Sequence, residues 1–255
     1  MADDATARFA ALAATPASSW PLDEALLLVA AHARPGLDLD LERGRLDALA
    51  EGVEESTFDG LRRHLFVDLG FTGDQATYHD PRNSLLPDVL DRRLGVPISL
   101  AVVAIEAGRR CGVRIEGIGL PGHFLARAAD EPHRYLDGFD GGRELDEAGC
   151  RTVFARVVPD VPWDDVYLAP VPASAIVSRV LANLAGAYRR AGDRRALCWV
   201  LSLRLLLPDS TPQERRELGV LLGASGRFDE GANVLGASTE DRDQAAAARL
   251  RARLN

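Results

Sequence analysis

The sequence predicts an α+β fold: a helical amino-terminal region, a core of one long helix with an antiparallel sheet, and a helical carboxy-terminal region. Three observations carry this. Apolar residues recur at helical spacing through the first third of the chain and again beyond Val171. Between these regions, three short strand-like runs are separated by Pro-Gly and Glu-Pro turns. A proline-opened, glycine-closed apolar stretch, "PISLAVVAIEAGRRCG", stands just before the first of those runs. The regions divide at 1–60, 61–170 and 171–255.

Taken in order, a first helix precedes Pro16, and a loop leads to Trp20. "PLDEALLLVAAHA" has proline at its start, acids in its first turn and an apolar face, the pattern of an amphipathic helix. "LDLERGRLDALAEGVEES" continues as helix, and "TFDGLRRHLFVDLGF" gives another that ends near Gly70. The polar stretch "GDQATYHDPRNS" reads as a turn and a helix cap. It leads into the short helix "LLPDVLDRR", where Pro87 is tolerated because first-turn amides have no intrahelical partner. Gly95 fits the C′ position that closes this helix. Pro97 opens the long apolar helix and Gly112 terminates it. The strand runs are "VRIEGIGL", "HFLARAA" and "HRYLDGF". Beyond Val171 come a helix, a Gly-Asp turn and a helix ending at Pro208, then a second pair with a Gly-Arg turn. Gly192 and Gly226 lie 34 residues apart, the tetratricopeptide period. The match is imperfect, since Ala196 follows its glycine by four and Gly231 by five. Two such repeats must bury an open face, so this region is expected to pack on the rest of the chain.

Composition narrows the function classes. The chain has 255 residues, enough for one large domain or two moderate ones. No apolar run is long enough to cross a bilayer, and the acidic start "MADDATARFA" is unlike a signal peptide, so a cytoplasmic protein is expected. A net charge of −8 argues against a nucleic-acid surface. All 30 basic residues are arginine, which excludes a Schiff base, a Ser-Lys pair or any catalytic lysine. Cys111, Cys150 and Cys198 are widely spaced and odd in number, so neither a disulfide framework nor a zinc knuckle follows. Cys111 and Cys198 lie in apolar helical contexts and are expected to be buried thiols. His79 and His133 lack metal-ligand spacing, no phosphate-binding glycine loop occurs, and no metal or cofactor is expected.

Three residues can make a catalytic constellation. Ser99 lies at a helix start, His123 at the head of one strand and Asp137 at the end of the next. A nucleophile needs a base within hydrogen-bond reach, and the base needs an acid to fix its tautomer. The helix N-terminus favours developing negative charge, and its free amides are suited to an oxyanion. Each residue also has a plainer role. Ser99 can satisfy a first-turn amide, His123 can bond a carbonyl in its Pro-Gly turn, and Asp137 can cap a turn. Asn83 and Asp80 are further candidates for the same cleft, although capping explains them equally well.

"YHDPRNSLLPDVLDRRLGVPISLAVVAIEAGRRCGVRIEGIGLPGHFLAR", followed by "YLDGFDGGREL", resembles the SirB-type transglutaminase-like/tetratricopeptide family. The motifs D-P-x-N-S, R-R-x-G-x-P-I-S-L, G-x-P-G-H-F and D-x-F-x-G-G carry the resemblance over roughly residues 60–150. It implies a papain/transglutaminase-like core followed by tetratricopeptide-like helices. It also implies that Ser99, His123 and Asp137 occupy the Cys, His and Asp triad positions, with serine where active relatives carry cysteine. The family's usual D-P-F-N-G-G is "DGFDGG" here, which makes Asp140 a second candidate acid. The serine matters physically: a thiol is partly ionised near neutral pH, whereas a hydroxyl needs general-base assistance in the transition state. Two functions follow. One is a regulatory or interaction protein with a degenerate triad, binding a protein or peptide through its helical repeats. The other is an acyl-transfer hydrolase with Ser99 as nucleophile, His123 as base and Asp137 as orienter.

Overall fold

The computed structural model describes residues 2–16 and 20–253, and the fold is α+β. The loop expected before Trp20 falls, at 17–19, outside the described residues. Helix α1 (Ala2–Ala13) packs on α2 (Leu22–Ala33), which has Pro21 at its N-cap and Asp23 and Glu24 in its first turn. α3 (Leu39–Glu51) starts where the Asp38 carboxylate accepts from the Asp40 and Leu41 amides. α4 (Phe58–Arg62) is capped by Thr57 and runs on into a π-helical segment, Arg63–Asp68. Such segments are rare and frequently lie at functional sites. Here it places the Phe66 ring under the chain at Gly138 and Gly142: a Cβ on Gly142 would lie 2.3 Å from Phe66 Cβ.

Strand β1 (Thr72–Gly73) pairs in parallel with β2 (Leu94–Gly95), and α5 (Leu86–Arg92) lies between them. The residue that closes α5 is Arg93, in the left-handed conformation (φ 56°), not Gly95. An arginine there costs roughly 1–2 kcal/mol relative to glycine. Its amide bonds Val89 O and its guanidinium bonds Leu69 O at 2.8 Å, which offsets that cost. Gly95 belongs instead to the β1–β2 ladder, opposite Gly73.

α6 (Pro97–Cys111) is the central element. Every residue from Pro97 to Ala104 is buried, as expected for a helix apolar on all sides. Gly112 ends it at φ 83°. The antiparallel sheet follows in the order β3 (Ile115–Ile118), β4 (Leu125–Ala128), β5 (Tyr135–Asp137) and β6 (Arg143–Leu145). One face, with Phe124, Ala126 and Leu136, joins the main core around α6. The other, with Ile118, Leu125 and Tyr135, packs on Cys150 and Val153 of α7 (Glu147–Val157). Strand β6 and helix α7 are not anticipated by the sequence patterns. β6 has only three residues, two of them exposed, so no alternation announces it.

α8 (Ala173–Ala191) and α9 (Arg194–Arg204) form one antiparallel pair, α10 (Pro212–Ala224) and α11 (Phe228–Gly236) another, and α12 (Asp241–Arg251) adds an unforeseen last helix. The main core is continuous from Ala5 through α6 to Leu222, so the terminal helices bury their apolar faces against the centre. Among the described residues, no helix is long and apolar enough to cross a membrane.

Candidate functional site

The structure brings His123 and Asp137 together and ties Ser99 elsewhere. His123 Nε2 lies 3.0 Å from Asp137 Oδ2, and both side chains are buried. Asp137 Oδ1 accepts from the Phe139 and Asp140 amides, so the carboxylate that orients the imidazole is itself held by the turn after β5. His123 sits in the turn before β4, two residues ahead of the strand. Arg179, from α8, donates to the carbonyls of Leu120 (2.9 Å) and His123 (2.8 Å) and lies over the Phe124 ring. That arginine fixes the His123 turn from the carboxy-terminal helices. Its sequence context, one of three arginines on an amphipathic helix, gives no sign of the role.

Ser99 is the N3 residue of α6. Its Oγ accepts from the Val96 amide at 3.1 Å, the reach-back bond typical of a helix start. It donates toward Asn83 O at 2.6 Å and Val96 O at 3.0 Å, sharing its one proton between two carbonyls. None of its hydrogen bonds goes to His123. A Cβ on Gly95 would sit 2.5 Å from this Oγ, so the backbone closes over the hydroxyl from that side as well.

Asn83, expected to line a cleft, is fully buried and acts beneath one. Its Nδ2 donates to Thr77 O (2.8 Å) and its Oδ1 accepts from Arg92 (2.8 Å). Arg92 also reaches Asp74 (2.9 Å), which accepts from the Thr77 hydroxyl (2.6 Å) and amide. The Thr77 hydroxyl bond, with the amide, Asn83 and Arg92 adding to it against the opposing effect of burial, holds the Asp74 carboxyl far below the usual carboxylate range. Sequence reasoning missed the roles of Asp74, Thr77 and Arg92, although the first two lie in the polar run "GDQATYHDPRNS" and Arg92 opens the R-R-x-G-x-P-I-S-L motif. Asp80 caps the 3-10 turn Pro81–Ser84 and pairs with Arg82. Asp140 is exposed and pairs with Arg143, and the carboxylate bonded to His123 is that of Asp137.

Two small clefts flank the site and share Tyr78 as a wall. One, about 370 Å³, is lined by Asp137, Phe139, Asp140 and Arg156. The other, about 180 Å³, is lined by His79, Asp80, Ser84, Val96 and Arg190. Neither Ser99 nor His123 lines either of them. A larger cleft of about 690 Å³ lies away from the site between α2, α6 and β3. Its arginines are already paired, Arg43 with Glu24 and Arg109 with Asp23 and Glu106. No group of three or more His, Cys, Asp or Glu side chains among the described residues is placed to hold a metal.

Of the thiols, Cys150 and Cys198 are buried, whereas Cys111 is only half-buried near the end of α6. Cys150 feels the charge of Asp137 from behind the sheet. Burial, with Asp146, Asp137 and Glu147 adding to it, pushes its thiol up to about 12. The native value lies above the unfolded one of about 9, so its contribution to stability is complete below pH 9 and is lost as pH rises toward 12. Native Cys150 is therefore expected to resist iodoacetamide at about pH 8, while unfolded chains react. Peptide mapping reads this directly, and rapid native labelling of Cys150 would contradict it.

The candidate site thus combines a helix-start serine, a buried pair of His123 ahead of β4 with Asp137 at the end of β5, and a central helix packed on an antiparallel sheet. Residues 30–182 match the family model of the transglutaminase-like superfamily, and the chain belongs to that superfamily. It is similar to a UPF0162 protein of Xylella fastidiosa (strain 9a5c), with 38% identity over 229 residues, 82% of this chain and 79% of that one. It also resembles UPF0162 protein PA3419 of Pseudomonas aeruginosa, with 34% identity over 182 residues, 68% of this chain and 66% of that one. Human F-box only protein 21 shares 26% identity over 149 residues, 55% of this chain and 23% of its own length. No solved structure matches the chain.

Proposed function

We propose that this chain is a regulatory or protein-interaction member of the transglutaminase-like superfamily, in which the triad positions survive as a structural pair and a helix-start serine. One observation carries the reading: the Ser99 hydroxyl is bonded to Asn83 O at 2.6 Å rather than to His123. General-base catalysis needs the base within hydrogen-bond reach of the proton it removes. Here that proton is directed at main-chain carbonyls in a buried pocket. The SirB-type resemblance supports a regulatory role, and the paired helices α8/α9 and α10/α11, with turn glycines 34 residues apart, support a docking role of the tetratricopeptide kind.

The buried His123–Asp137 pair favours one rival, a serine-dependent acyl-transfer hydrolase. Turnover of p-nitrophenyl acetate and of a peptide amide separates the two. The interaction reading expects equal background rates for the wild type and Ser99→Ala. A rate that falls in Ser99→Ala and again in His123→Ala establishes the hydrolase.

A further inference from the structure

A cleft of about 460 Å³ lies between α9 and α10, remote in sequence from Ser99. Arg194, Arg195 and Arg227 line it together with Cys198, Leu221 and Ala224, and no aspartate or glutamate does. Glu230 holds Arg227 through paired hydrogen bonds, but Arg194 and Arg195 form no ion pair among the described residues. Both exposed arginines occupy the first turn of α9, where the helix dipole disfavours positive charge. The neighbouring Asp193 carboxylate is directed to the Ala196 amide as the helix cap. Two cations thus stand where the helix would prefer acids, on a chain of net charge −8. Real proteins break such local rules at functional sites.

We propose that this cleft docks an acidic peptide segment, one apolar side chain flanked by aspartate or glutamate. The arginines would fork onto the carboxylates, and the apolar side chain would cover Cys198, Leu221 and Ala224. The inference rests on the proposed interaction role and adds the chemistry of the partner. Charge complementarity selects the occupant, because an acidic segment gains both the free guanidinium groups and the α9 amino-terminal field.

The test is fluorescence anisotropy of the full chain with fluorescein-labelled Asp-Glu-Leu-Asp-Glu. Saturable binding is expected, weakened roughly tenfold or more by Arg194→Glu with Arg195→Glu and weakened by raising the salt from about 0.05 to 0.5 M. Ala224→Trp, at an exposed position, fills the cleft while keeping its charge and is expected to weaken binding as strongly. Arg249→Glu on α12 changes charge outside the cleft and is expected to leave binding intact. Absence of saturable binding, equal binding by all variants, or binding of laurate in place of the peptide would overturn the proposal. Its failure is distinct from failure of the interaction role, which shows itself as Ser99-dependent turnover.

Discussion

Replacing Asp74 with alanine is expected to lower the unfolding free energy by about 2–4 kcal/mol, because it leaves a largely buried arginine without its countercharge. Asp74 is 5% exposed and accepts from Arg92 and twice from Thr77. Arg92 in turn holds Asn83, whose carbonyl anchors Ser99. The loss therefore spreads along the chain of bonds that sets the start of α6. Urea unfolding measures it. Asp91→Ala, which removes a half-exposed partner of Arg34 and Arg45, is expected to cost no more than about 1 kcal/mol. The Asp74 carboxyl lies below its unfolded value, so its contribution is complete above about pH 4 and is lost as acid protonates it. The wild type is expected to lose stability through that acid range, and Asp74→Ala to lose less. Equal acid slopes in the two proteins would contradict the network.

Gly95→Ala is expected to destabilise the fold by about 1–3 kcal/mol through overpacking, since the new methyl would land 2.5 Å from Ser99 Oγ and 3.2 Å from Leu100 Cγ. Ser99→Ala alone is expected to cost about 1 kcal/mol, the net worth of one buried hydroxyl's bonds. Combined, the two changes should cost less than their sum, because deleting the hydroxyl removes the closest contact. That sign of coupling is diagnostic. A Ser99 side chain free to swing toward His123 would step away from the new methyl. Gly95→Ala would then be nearly neutral and additive with Ser99→Ala.

The sequence made much of this legible, for reasons that particular residues show. Pro97 and Gly112 bracket α6 because ring geometry and a left-handed cap act locally, and local signals survive in any context. The His123–Asp137 pairing was reachable because consecutive antiparallel strands put their ends side by side. What stayed hidden depends on register between distant segments. Gly95 looks like a helix cap until the β1–β2 ladder, formed with Thr72 and Gly73, claims it and moves the cap to Arg93. The Ser99 bond to Asn83 O spans sixteen residues and exists only because that ladder and the 3-10 turn converge on α6. Arg179 reaches the His123 turn from a helix 56 residues later.

The central claim is that Ser99 is a structural hydroxyl and not a nucleophile. Its most direct test is intact-mass spectrometry of the native protein treated with a fluorophosphonate at neutral pH. The account predicts no adduct on Ser99, with wild type and Ser99→Ala labelled to the same extent. A stoichiometric adduct on Ser99 that disappears in His123→Ala would contradict it.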